Sequence, residues 1–201
     1  YMLLDLIGVG GMAEVYRAKL IGERGFEKLI VIKKLLDQAV REPSLVEHFT
    51  AEARLAALLQ HENIAAVYDF GCISNNYFIA MEYLFGKDLF AILQALQTRG
   101  KSIPPQYALM IAIKISEAMA YAHGLTDLRQ KPLNIIHRDL TPHNIFISYD
   151  GRVKVIDFGI AKTEMHENLT RVGVVKGKIT YMSPEQLSSE RIDHRSDIFS
   201  I

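Results

Sequence analysis

The chain has 201 residues, 49% of them hydrophobic, and Lys+Arg balances Asp+Glu at 23 each. That is apolar material enough for a sizeable core in one domain or two closely joined lobes, and the charge balance excludes both a global field for nucleic acid and an acidic solvating tail. The single cysteine, Cys72, excludes an intrachain disulfide and a cysteine-based zinc site, fits a reducing compartment, and is expected to be buried.

No apolar run is long enough to span a bilayer and no cleavage signal marks the N-terminus, so a soluble, cytoplasmic segment without membrane contact is expected. The chain opens on Tyr1 and closes on Asp197-Ile198-Phe199-Ser200-Ile201, an apolar pattern without a helix stop signal. It therefore reads as a piece of a longer protein, whose other parts could carry an anchor.

The first third alternates like a sheet. Tyr1 to Ile7, Ala13 to Ala18 and Leu29 to Leu36 read as strands, the first two joined through Gly8-Val9-Gly10-Gly11. Ser44-Leu45-Val46-Glu47 fits a capping box, and Phe49, Glu52, Ala53 and Ala56 share a face of the helix running towards Gln60. Strands from Val67 to Cys72 and Tyr77 to Glu82 follow, with a turn at Asn75-Asn76. Sheet gives way to helix near Glu82 to Gly86, which divides the chain into lobes at 1–82 and 83–201.

Helices are expected over Asp88 to Leu96 and over Gln106 to His123, the second entered through Pro104-Pro105, released at Gly124 and apolar enough to be buried all round. Tyr149-Asp150-Gly151 then turns a hairpin between Asn144 to Ser148 and Val153 to Ile156.

Gly8-Val9-Gly10-Gly11-Met12-Ala13-Glu14-Val15 approximates a phosphate-cradling G-x-G-x-x-G-x-V, with Ala13 in place of the third glycine. Alone it is equally a tight hairpin with no ligand. Lys33 shares a strand face with Val31; by itself it is an ordinary edge lysine, and Glu52 an ordinary helix carboxylate, unless the pair forms a phosphate clamp. The weight comes from His137-Arg138-Asp139-Leu140-Thr141-Pro142-His143-Asn144, followed across the hairpin by Asp157-Phe158-Gly159. Phosphoryl transfer needs a base for the incoming hydroxyl, oxygen ligands for Mg²⁺, and alignment. Asp139 suits the first role, Asn144 and Asp157 the second. His137 and Phe158 read as packing residues, and the remaining histidines as surface or capping residues.

On these motifs the chain resembles the catalytic domain of eukaryotic-like serine/threonine protein kinases of the bacterial kind, and the resemblance covers essentially its whole length. It implies an α+β, bilobal fold, a five-stranded antiparallel N-lobe sheet with a regulatory helix and a mainly helical, incomplete C-lobe. It also implies ATP and Mg²⁺, protein substrates with Ser or Thr acceptors, and no nucleic-acid partner. Val31-Ile32-Lys33 stands for the V-A-I-K strand, Glu52 for the regulatory-helix glutamate and Ser183-Pro184-Glu185 for A-P-E. By the same mapping Ile7, Gly8, Val9, Gly10 and Gly11 cover the nucleotide. Met81 is the gatekeeper, Glu82, Tyr83 and Leu84 form the adenine hinge, and Val15, Val31 and Phe146 sandwich the base. Asp197 resembles the aspartate that anchors the catalytic loop.

The resemblance further implies that Arg138 pairs with a phosphate in the activation segment, for which Thr170 is the favoured autophosphorylation site. One departure is double: the family's lysine two residues after the catalytic aspartate is here Thr141, and its activation-segment threonine is Lys178. The two are expected to have exchanged roles, Lys178 supplying the cation and Thr141 the hydroxyl. A pseudokinase scaffold and a small-molecule phosphotransferase are the competing readings.

Overall fold

The computed structural model describes residues 1–158, 179–188 and 190–201. The chain forms two compact units, one of Tyr1–Gln60 with Ala65–Leu84 and one of His61–Ile64 with Phe85–Ile201.

The first unit is an antiparallel sheet of five strands, β1 (Met2–Val9), β2 (Ala13–Ile21), β3 (Glu27–Leu35), β4 (Val67–Ile73) and β5 (Asn76–Glu82), in the order β1-β2-β3-β5-β4. Two helices, α1 (Asp37–Val40) and α2 (Pro43–Ala56), lie between β3 and β4 in sequence. Branched apolar residues favour the pleated, half-buried surface of β3, where Ile30, Val31, Ile32 and Leu35 are buried. Alternation sends Leu35 into a cluster with Ala13, Ala39, Phe49, Ala53 and Ile79, and Ile30 and Ile32 into another with Ala18, Phe78 and Ala80. The first cluster includes the buried face of α2.

Three expectations are corrected here. α2 begins two residues earlier than the Ser44 capping box, with Glu42 as N-cap and Pro43 in its first turn; proline's fixed φ starts the helix without a side-chain cap. The β4–β5 turn sits on Ser74 and Asn75, at φ of 48° and 65°, and Asn76 already belongs to β5. Two consecutive positive φ values suit the right-handed twist of a two-residue hairpin. Cys72 is exposed, because it lies near the end of the edge strand β4, beyond Val67 and Phe70, the residues of that strand that pack against the core.

The second unit has a three-stranded antiparallel sheet, β6 (Gly86–Asp88), β7 (Ile145–Ser148) and β8 (Val153–Val155), with α3 (Leu89–Gln97), α4 (Pro105–His123), α5 (Pro184–Leu187) and α6 (Arg195–Ser200). Gly86 is required: a Cβ there would lie 2.1 Å from the carbonyl oxygen of Ile147. Asp88 caps α3 by accepting from the Ala91 amide at 2.7 Å. α4 is not buried all round. It buries Ile111, Ile115, Ala118, Met119 and Ala122 along one stripe, while Tyr107, Leu109, Met110 and Ile113 are exposed. Residues 61–64 join this unit through Asn63, whose carbonyl accepts from the Val155 amide at 2.8 Å and whose side-chain amide donates to the Val153 carbonyl at 2.9 Å. Among the described residues no helix is long and apolar enough to cross a membrane.

Candidate active site

In the first unit, regular elements place the predicted residues. Ile7, Gly8 and Val9 end β1, and Gly10, Gly11 and Met12 make the turn into β2, closed by the Gly10 amide donating to the Ala13 carbonyl at 2.8 Å. The register sets Val15 opposite Lys33 and Val31 opposite Met81. Lys33 Nζ donates to Glu52 Oε1 at 2.6 Å, with side chains only 12% and 8% exposed. Glu52 can reach because it shares the inner face of α2 with Phe49 and Ala53. At Glu82 the amide donates to the Ala66 carbonyl at 2.8 Å, and the carboxylate accepts from the Ala66 amide at 3.1 Å. Leu84 is the last residue of the unit.

In the second unit a hairpin and an irregular loop share the work. β7 pairs with β8 through Ile145–Val155, Phe146–Lys154 and Ile147–Val153, turning at Gly151 with φ 86°. Asn144 precedes β7 and Asp157 follows β8, so pairing returns both to one end of the hairpin, where the Ile156 amide donates to the Asn144 carbonyl at 2.9 Å. The turn Pro142–Asn144 aims the Asn144 side chain back at the loop, and its Nδ2 donates to both the carbonyl and Oδ2 of Asp139, each at 2.8 Å. Asp139 and Asn144 are buried, whereas Asp157 is exposed and left-handed, at φ 53°.

Asp197, 1% exposed, anchors this loop as expected: Oδ2 accepts from the His137 amide and Oδ1 from the Arg138 amide, both at 2.8 Å. His137 is fully buried and packs on Phe158, but it also bonds. Its Nδ1 accepts from the Asp139 amide at 3.3 Å, so the ring proton sits on Nε2, which faces the Ile156 carbonyl at 3.1 Å.

His123 is a correction, since it is neither a surface nor a capping residue. From the end of α4 its Nε2 meets Asp197 Oδ2 at 2.7 Å, and no spacing in the sequence announced that partner. Sequence reasoning also passed over Gln186. The S-x-x-Q spacing after Met182 is a capping-box signal that could have found it: Gln186 and Ser183 cap α5 reciprocally.

Two further observations bear on chemistry. Thr141 Oγ1 is buried with no hydrogen-bond partner among the described residues, an arrangement a buried hydroxyl rarely adopts. Burial pulls the Arg138 guanidinium below the usual arginine range, with Asp197 opposing the shift. No hydrogen bond or ion pair of that guanidinium is found among the described residues. Thr170 and Lys178 lie outside the described residues.

The first unit thus carries a buried lysine–glutamate pair, and the second an anchored aspartate loop with a hairpin-borne Asn and Asp. A protein kinase domain model matches residues 1–201, and the chain belongs to that family. Across its whole length it is 43% identical to the tyrosine-protein kinase MasK of Myxococcus xanthus and 35% identical to the serine/threonine-protein kinase PrkC of Bacillus subtilis, covering 31% and 29% of those proteins. Among solved structures, the kinase domain of PknI from Mycobacterium tuberculosis aligns with a TM-score of 0.69 at 26% identity, over 98% of this chain and 67% of that one. The chain spans about a third of the length of the curated relatives it matches. The family implies ATP, generally with Mg²⁺, and protein substrates.

Proposed function

We propose that this domain transfers the γ-phosphate of ATP to serine or threonine hydroxyls of proteins in bacterial signalling. The observation that carries the reading is the Asp139–Asn144 pair. Asn144 commits its NH₂ to Asp139, which leaves its amide oxygen as an acceptor and aims the aspartate. In this reading Asp139 accepts the proton of the attacking hydroxyl and orients it. Lys33, held by Glu52, clamps the phosphates. Ile7 to Gly11, Val15, Val31, Met81, Glu82, Leu84 and Phe146 hold the nucleotide.

The donor chemistry fits Mg²⁺. Asn144 and the exposed Asp157 offer hard oxygens, and among the described residues no group of three or more His, Cys, Asp or Glu side chains gathers as a metal cage. Mg²⁺ is usually held by one or two carboxylates plus substrate phosphates, so the sparse set suits it. When bound it neutralises charge on the phosphate oxygens.

Two finer roles belong to the same proposal. The desolvated Arg138 guanidinium suits a phosphate, with phosphothreonine at Thr170 as its source. The Thr141 hydroxyl, without a partner among the described residues, suits its exchange with Lys178, the lysine supplying the cation that Thr141 cannot. That same Thr141 and the 43% identity to a protein named a tyrosine kinase favour tyrosine hydroxyls as a second reading.

Labelled γ-phosphate from ATP, a general protein substrate and phosphoamino-acid analysis test the proposal. Phosphoserine and phosphothreonine are expected, and phosphotyrosine alone would favour the second reading. Transfer only to small molecules, or no transfer with Mg²⁺ and ATP present, would leave the phosphotransferase or scaffold reading.

A further inference from the structure

We infer that Gln186 is a positioning residue for the catalytic base, an assignment that rests on the role proposed for Asp139. The peptide unit joining Arg138 to Asp139 is held from both sides. Its carbonyl accepts from Gln186 Nε2 at 2.9 Å and its amide donates to His137 Nδ1 at 3.3 Å. Because a peptide unit is planar, fixing its oxygen and its nitrogen fixes the Asp139 Cα, and the Asn144 amide bonded to the Asp139 carbonyl and Oδ2 sets the rotation beyond it. Arg138 stands at φ 65°, a left-handed conformation unfavourable for a residue with a Cβ, so the loop would relax elsewhere without such restraint. Asp197 holds the amide on the other side of Arg138.

Gln186 is itself pre-set for the task. It is 5% exposed, and its Oε1 accepts from the Ser183 amide at 3.0 Å, which turns the NH₂ towards Arg138. Both ends of one amide are therefore in use, one closing the cap of α5 and the other reaching a loop 48 residues away in sequence. Asparagine is too short to do both, and an apolar residue could do neither. The consequence is mechanical coupling: a displacement of the Ser183–Gln186 turn is felt at the carbonyl of Arg138, and through the peptide plane at the base.

The substitution Gln186→Glu separates the two bonds. It keeps an oxygen for the Ser183 amide, but when ionised it presents a second acceptor to the Arg138 carbonyl. In the full-length protein, Gln186→Glu should lower kcat by about ten- to a hundredfold while the KM for ATP stays within about twofold, as for a misplaced reacting group. On acidification the carboxyl gains an O–H that can donate to the carbonyl, and its burial raises its pKa above the usual value of about 4.3. The ratio of mutant to wild-type kcat should therefore climb as pH falls from about 8 to about 6, whereas Gln186→Leu shows no such recovery. Taking the ratio to wild type removes any pH dependence that the two proteins share.

A readout independent of turnover accompanies this. Hydrogen exchange of the Arg138 and Asp139 amides should quicken at least about fivefold in Gln186→Glu at pH 8, since the loop opens locally more often. Unchanged kcat, a loss with no acid recovery, or unchanged exchange each overturns the inference. If the wild type shows no Asp139-dependent transfer, the kinase reading fails, and the exchange measurement still decides whether Gln186 holds the loop.

Discussion

Two regions carry the proposed chemistry, and they are built in opposite ways. In the first unit a short contact, Lys33 to Glu52, joins a strand to a helix across 19 residues of sequence. In the second, Asp139 is aimed by an irregular loop whose backbone is held by side chains 48 and 60 residues away, Gln186 and Asp197. A pair on regular elements is set by the register of its strand and the face of its helix. A loop in a left-handed conformation needs every clamp at once, so its function should be sensitive to residues that touch no reactant.

The largest expected effect lies at the mouth of the hairpin. Asp157→Ala, or removal of Mg²⁺ by a chelator, should lower turnover on the order of a thousandfold, the several kcal/mol attributed to metal-assisted charge stabilisation. Retained turnover in both would remove Asp157 from the second region's chemistry.

Next in size is the pair in the first region. Lys33→Met leaves the buried Glu52 carboxylate without its ammonium and should destabilise that unit by about 3 kcal/mol in denaturant titrations. Lys33→Met with Glu52→Leu should restore most of the stability and none of the activity. Equal losses in the single and double variants would show that the pair is not the unit that matters.

A smaller effect separates the exchanged residues. Lys178→Met should reduce kcat about a hundredfold, as for a lost electrostatic donor, and Thr141→Lys with Lys178→Thr should outperform either single change. Unchanged turnover in Lys178→Met would leave the Thr141 hydroxyl without that explanation.

The smallest effect is a pH dependence at the start of α6. Hydrogen bonds from Arg195 hold the Asp193 carboxyl down at about 2. A carboxyl depressed on folding stabilises the folded state above its unfolded pKa, here 3.8, and the contribution is lost as pH falls through about 2. Asp193→Asn should flatten the acid limb of the unfolding curve in that window and leave turnover at neutral pH unchanged.

How much was legible in the sequence follows the same division. Strands β1 to β5 and helix α2 were readable because alternation and helical periodicity are local, whereas Lys33 and Glu52 were paired only on the weight of the later motifs. Errors clustered where a local signal had a competitor. Ser44 offered a cap, but Pro43 could start α2 without one. α4 carries more apolar residues than one buried face accommodates, so periodicity alone did not reveal its exposed side. Gly86-Lys87-Asp88 has no β-branched residue, and β6 forms because Gly86 admits the close approach of β7. The catalytic loop was legible as a motif but not as a structure. Of its supports, Asp197 was legible through the resemblance, whereas His123 and Gln186 come to it only when distant parts of the chain fold together.

The most direct test of the aimed base is single-turnover phosphoryl transfer at saturating ATP and Mg²⁺, with nucleotide affinity measured separately, in wild type and Asp139→Asn. The predicted result is transfer slower by about 10²- to 10⁴-fold with ATP affinity changed by less than about twofold, the signature of a lost general base. Undiminished transfer, or a loss wholly accounted for by weaker nucleotide binding, would contradict it.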